Sequence, residues 1–260
     1  MAGAEHRPEF CVLSFMIAVI LAALVQSGQQ TITLNINGVE RTALIFAPTV
    51  PSPHPPVVFA FHGHMGTSRQ ASRSFDIQSE WPNAVVVYPQ GLPTPSPLVD
   101  REGRYPGWTL DGDESNRDLK FFDGLYRDVT HRFHTDTRRV FAMGHSNGGA
   151  FIYTLWVLRG DMFAGFSSAE AAGARRYTLK PKPIFVTIGS RDAIVRPAMQ
   201  HASFNEVLKV NQASDKGSPF GPKGMQFRGR APSILWEYDG GHAFPRDSVP
   251  SMIDFFKSLL

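Results

Sequence analysis

Five short, unbroken apolar runs, each closed by a glycine, a proline or His-Gly, constrain this chain more than any other feature. They are VVFAF before His62-Gly63, AVVVYP from Ala84, RVFAMG from Arg139, PIFVTIG from Pro183 and SILWEYDG from Ser233. Apolar runs too short for a helix read as strands buried on both faces, which is the pattern of a parallel sheet covered by helices. Segments of helical period lie between them. Residues 118–133 place Leu119, Phe122, Leu125, Val129 and Phe133 on one stripe, as a helix with one buried face requires. Residues 148–159, roughly 197–211, and the terminal SVPSMIDFFKSLL read the same way. The chain starts differently: TITLNI and VERTALIFA flank Asn37-Gly38, the dipeptide suited to a tight type I′ hairpin turn. An antiparallel hairpin followed by alternating strands and helices predicts a three-layer α/β sandwich with a mostly parallel sheet. Ligand sites in such sheets gather at the C-terminal ends of the strands.

Two long loops, 91–117 and 214–233, interrupt the rhythm. Neither has the apolar period of a separate cap domain, and loops this long are usually functional or mobile. The 260 residues suffice for one large α/β domain, with no need of a second. A net charge of +3, scattered along the chain, excludes an electrostatic nucleic-acid partner. At the N-terminus, His6 and Arg7 precede an apolar stretch over residues 11–25, followed by QSGQQ. That layout is the one expected of a secretory signal peptide, too short for a bilayer span of about 20 residues; an uncleaved anchor and a buried helix are the alternatives. Cleavage after Ser27 is expected, giving a signal at 1–27, a catalytic domain at 28–260, a secreted product and no membrane association after cleavage. The only cysteine, Cys11, lies inside the signal, so the mature protein has neither disulfides nor thiol chemistry.

Gly144-His145-Ser146-Asn147-Gly148 fits G-x-S-x-G between an apolar strand and a helix. A serine at such a turn is held in strained geometry with its hydroxyl out of the sheet. Alone it is a weak nucleophile and needs a base with an orienting acid. Only His201 and His242 follow it; His201 lies in a helical stretch, whereas His242 follows two glycines at the end of a strand. For the acid, Asp192 sits just past the PIFVTIG strand, with Glu170, Glu237, Asp239 and Asp161 as the competing carboxylates. The oxyanion of a tetrahedral intermediate needs backbone donors. These are expected from the N–H of Asn147 and from that of His64, or failing that Met65, in HGHMGT. Tyr105, Trp108, Met65 and Phe244 are substrate-binding candidates; the three aromatic ones fit a rim around the substrate or, equally, a place on the core. His62 with His64, and His131 with His134, are incomplete as metal sites, and no nucleotide-binding fingerprint is present. No metal or cofactor is expected.

These motifs together resemble secreted esterases of the poly(3-hydroxybutyrate) depolymerase and feruloyl esterase group, from about residue 56 to the C-terminus. GHSNGG is the most specific element; FHGHMGT resembles the oxyanion loop, GSRDAIV the acid motif and GGHAFP the base motif. The resemblance implies an α/β-hydrolase fold and carries nucleophile, acid and base to Ser146, Asp192 and His242. It departs at Arg117-Asp118, where two aspartates are common, and in the missing cysteines. The implied substrate is a small or polymeric carboxylic ester: feruloyl or acetyl esters of plant polysaccharide first, a hydroxyalkanoate polyester second. An inactive binding protein on the same fold is the non-enzymatic alternative.

Overall fold

The computed structural model describes residues 28–214 and 216–259. The expected signal peptide lies outside them. Strands β1 (Gln29–Ile36) and β2 (Val39–Phe46) form the antiparallel hairpin. Its turn residues Asn37 and Gly38 have φ of 52° and 84°, the pair of positive values that a type I′ turn demands. Six parallel strands form the centre of one ten-stranded sheet: β3 (Val57–Phe61), β4 (Val85–Pro89), β7 (Val140–His145), β8 (Gly165–Ala169), β9 (Ile184–Gly189) and β12 (Ser233–Tyr238). The sheet order is β1-β2-β4-β3-β7-β8-β9-β12-β11-β10. A second hairpin, β10 (Ser218–Phe220) and β11 (Gly224–Phe227), pairs antiparallel onto the far edge. It accounts for part of the 214–233 segment. The 91–117 segment holds a two-residue pairing, β5 (Leu92–Pro93) with β6 (Pro106–Gly107), and an isolated bridge between Ser96 and Asp100.

Alternation along the strands divides the core into two layers. Val57, Phe59 and Phe61 of β3 pack with Leu119, Phe122, Leu125 and Val129 of α3 (Arg117–Phe133) and with Phe151 and Leu155 of α4 (Asn147–Arg159). Val58 and Ala60 face the other way, with Phe75 of α1 (Ser68–Phe75), Ile77 of α2 (Ile77–Glu80) and Phe255 and Phe256 of α6 (Val249–Lys257). Phe204 and Val207 of α5 (Pro197–Val210) complete the first layer. Each fully buried Phe or Leu contributes about 1.5–3 kcal/mol relative to exposure, so both helical layers are held by the sheet.

Helix α3 starts where Asn116 Oδ1 accepts the N–H groups of Asp118 and Leu119 at 2.9 and 3.1 Å, an N-cap that satisfies two otherwise unpaired donors. It ends at His134 in a left-handed conformation. Among the described residues, no helix is long and apolar enough to cross a membrane.

Candidate active site

Ser146 stands between β7 and α4 with φ 55° and ψ −120°, a backbone conformation that costs a serine energy and persists only where its surroundings impose it. The neighbouring glycines are a steric requirement. A Cβ on Gly144 would lie 2.3 Å from the Gly148 carbonyl oxygen, and one on Gly148 would lie 2.3 Å from that of Phe61. The Ser146 N–H donates to Ala169 O and its carbonyl accepts from Ala150 N–H, both at 2.8 Å. The turn is therefore clamped on either side.

Three side chains from three strand ends meet here. Ser146 Oγ is 2.7 Å from His242 Nε2, and His242 Nδ1 is 2.7 Å from Asp192 Oδ2. Asp192 is buried. Its Oδ1 accepts the N–H groups of Ile194 and Val195 at 2.8 and 3.0 Å, and its Oδ2 also accepts Gln200 Nε2 at 2.9 Å. A carboxylate holding four donors cannot swing away from the imidazole. Gln200 carries no sequence signal, since it is one polar residue within a helix. The His242 loop is fixed by Tyr238, whose hydroxyl lies 2.9 Å from Gly241 O and 2.6 Å from Ala243 O. A single hydroxyl hydrogen serves the two carbonyls. Glu237 pairs instead with His201 and Asp239 with Arg191, at the surface.

The loop after β3 is built around a neutral histidine. His62 Nδ1 donates to Gly63 O at 2.7 Å and Nε2 accepts Gly91 N–H at 2.9 Å, so its partners dictate the tautomer. Burial pushes the His62 pKa down to about 4. Its carbonyl accepts Trp108 Nε1–H at 2.8 Å. Met65 N–H donates to Pro106 O at 2.8 Å, and His64 Nε2 lies 3.1 Å from Asp100 Oδ2. Met65 N–H is thereby spent, leaving His64 N–H as the loop's candidate donor. Asn147 makes a paired contact with the backbone of Trp108, accepting its N–H at 2.6 Å and donating to its carbonyl at 3.1 Å. That occupies the Asn147 side chain. Its main-chain N–H belongs to the first turn of α4, where helical N–H groups have no partner within the helix.

The loop 91–117 is thus a strap over the loop that follows β3, a role its sequence did not disclose. It also corrects one expectation. Trp108 is not a rim residue; it is 1% exposed, packed between Phe61 and Phe151. An indole with its N–H satisfied is a core residue. Tyr105 stays on the outside of the strap, 47% exposed. Met65 and Phe244 line a cavity of about 440 Å³ beside Ser146, together with His64, Gln70, Ser74 and Phe75. The rings of Phe75 and Phe244 are 4.4 Å apart and give it an aromatic wall. Among the described residues, no group of three or more His, Cys, Asp or Glu could hold a metal.

A nucleophile hydroxyl, an imidazole within hydrogen-bond reach and a fixed carboxylate beyond it can together carry out acyl transfer. No protein-family model matches the chain. It is 26% identical over 288 residues to feruloyl esterase D of Neurospora crassa, covering 98% of this chain and 96% of that protein. Among solved structures, the acetyl xylan esterase from Aspergillus awamori superposes with a TM-score of 0.64 at 14% identity, over 88% of this chain and 99% of that one. A ferulic acid esterase gives a TM-score of 0.64 at 14% identity, over 90% and 100%. The sheet order with its helical layers is that of the α/β-hydrolase fold, with no large cap among the described residues.

Proposed function

We propose that this chain, a carboxylic ester hydrolase of the α/β-hydrolase fold, cleaves feruloyl or acetyl esters of plant polysaccharide through an acyl-enzyme on Ser146. The relay Ser146–His242–Asp192, with both contacts at 2.7 Å, carries the mechanistic reading. The similarity to feruloyl esterase D over nearly the whole chain supports the substrate class.

In this reading Ser146 Oγ attacks the ester carbonyl while His242 Nε2 takes its proton. Asp192 holds the Nδ1–H and stabilises the imidazolium without itself becoming protonated. The N–H groups of Asn147 and His64 receive the oxyanion. The alcohol leaves with the proton from His242, and water then cleaves the acyl-enzyme by the same route. The cavity lined by Met65, Phe75 and Phe244 accepts the acyl group, since such pockets combine apolar walls with a few polar groups. Residues 1–27 act as a cleaved signal, so that 28–260 works outside the cell as one catalytic domain.

The test is a substrate panel of methyl ferulate, acetylated xylan and poly(3-hydroxybutyrate) with purified protein. The reading expects hydrolysis of one or both of the first two. Activity confined to the polyester would replace the substrate class, and no activity on any ester would favour the inactive binding protein.

A further inference from the structure

One buried carboxyl close to the base takes no part in the relay. Glu170 follows β8 with φ 46° and is fully buried. Its Oε1 accepts the Thr187 hydroxyl at 2.8 Å. Its Oε2 makes no hydrogen bond and lies 3.7 Å from His145 Nε2, which makes none either, and both atoms are shut away from solvent. Two buried polar atoms left facing each other are costly unless a proton stands between them.

The backbone of His242, on the other side of His145, favours a proton on the ring. Carried on Nδ1, that proton leaves a neutral imidazole with a lone pair on Nε2, the atom without a hydrogen bond. A lone pair can face a carboxylic acid but is repelled by a carboxylate. The groups around Glu170 agree. Burial, reinforced by the negative charge of Asp192, raises its pKa to about 8 against the opposing Thr187 and Tyr238 hydroxyls. Burial and the neighbouring His242 lower that of His145 to about 4.

We propose that Glu170 is a positioning residue that works as a carboxylic acid, its proton directed at His145 Nε2 so that His145 keeps its own proton on Nδ1 and its place against the His242 ring. This rests on reading His242 as the base for Ser146. The His145 and His242 rings are 5.1 Å apart and the His145 and Phe244 rings 6.1 Å apart, so a shift of His145 moves both the base and the cavity wall. Ionised Glu170 would lose its match with Nε2 and place a second carboxylate beside Asp192.

Wild type, Glu170→Gln and Glu170→Met test this. Gln keeps a donor for His145 and an acceptor for Thr187 without ionising, whereas Met keeps the length without a donor. The infrared spectrum of wild type should show the carbonyl band of a protonated acid at neutral pH, missing in Glu170→Gln and fading through about pH 8. Over the same range kcat of wild type should fall roughly tenfold, with KM within about twofold, the size of effect that loss of one buried polar contact produces. Glu170→Gln should lack that fall. Glu170→Met, if it folds, should be roughly tenfold slower at every pH. A wild-type spectrum without the acid band, or an alkaline fall that persists in Glu170→Gln, would overturn the proposal. The band reads Glu170 without reference to catalysis. Were Ser146 not the nucleophile, Ser146→Ala would retain hydrolysis while the band stayed in place.

Discussion

At the scale of single residues, the site is made by positions that no other side chain could fill. Gly144 and Gly148 allow two backbone segments to touch, and that contact forces Ser146 into its φ of 55°. Asp192 and Asp239 offer a direct comparison, since both follow strand ends near His242. Asp192 is buried and bonded to His242 Nδ1, while Asp239 is exposed and paired with Arg191. Asp192→Asn should therefore lower kcat on a p-nitrophenyl ester on the order of 10³–10⁴-fold, by losing the orienting acceptor. Asp239→Asn should change it less than about twofold, because exposed ion pairs contribute little. Steady-state kinetics of the two variants measure this, and the reverse ranking would move the acid. GHSNG, HGH and the order of Ser146, Asp192 and His242 could all be read from the chain, because each lies at a strand end marked by glycine. The supports could not. Gln200, Tyr238 and the Glu170–His145 pair act through distances that only folding creates, and nothing local in the sequence distinguishes them from ordinary polar residues.

At the scale of elements, legibility followed apolar content. The five apolar runs became β3, β4, β7, β9 and β12, and the helices at 117–133, 147–159 and 197–210 fall within a residue of their expected bounds. Strand β8 escaped because GFSSA has one large apolar side chain; it is wholly buried all the same, its small residues leaving room for close packing against α4. Helix α1 escaped because SRQASRSF has no apolar stripe. Its start is capped by Thr67, whose Oγ1 accepts Gln70 N–H at 3.1 Å. The strap 91–117 is the element whose role most exceeds its sequence. Its Trp108 N–H holds the His62 carbonyl, so Trp108→Phe should leave a buried acceptor unpaired. The expected loss is about 1–3 kcal/mol in urea unfolding, with kcat lowered because His64 lies only two residues past His62. Unchanged stability and rate would mean that the strap merely covers the loop.

At the scale of the whole molecule, the two layers of core carry a site whose buried ionisable groups oppose one another in their response to pH. His62 and His145 remain neutral down to about pH 4 in the folded state, whereas unfolded histidine takes up a proton near 6.5. Below that value the unfolded chain binds more protons and stability falls with pH. Glu170 acts in the opposite sense. Folded, it keeps its proton to about pH 8; unfolded, it loses it near 4.3, so its contribution weakens as pH rises through that window. Near pH 6.5 the two half-titrated histidines and the one carboxyl balance, and urea midpoints should peak at about that pH. Glu170→Gln should move the peak upward; a peak unmoved by the substitution would contradict this balance.

The central claim is that folding turns Ser146 from an ordinary hydroxyl into an activated nucleophile, through the 2.7 Å contact with His242. A fluorophosphonate probe tests it most directly, because it bonds covalently only to a serine whose proton is being withdrawn. Peptide mapping after labelling should place the adduct on Ser146 in wild type, with none in Ser146→Ala and a much slower reaction in His242→Ala. A wild-type protein that stays unlabelled, or one labelled at another serine, would contradict the account.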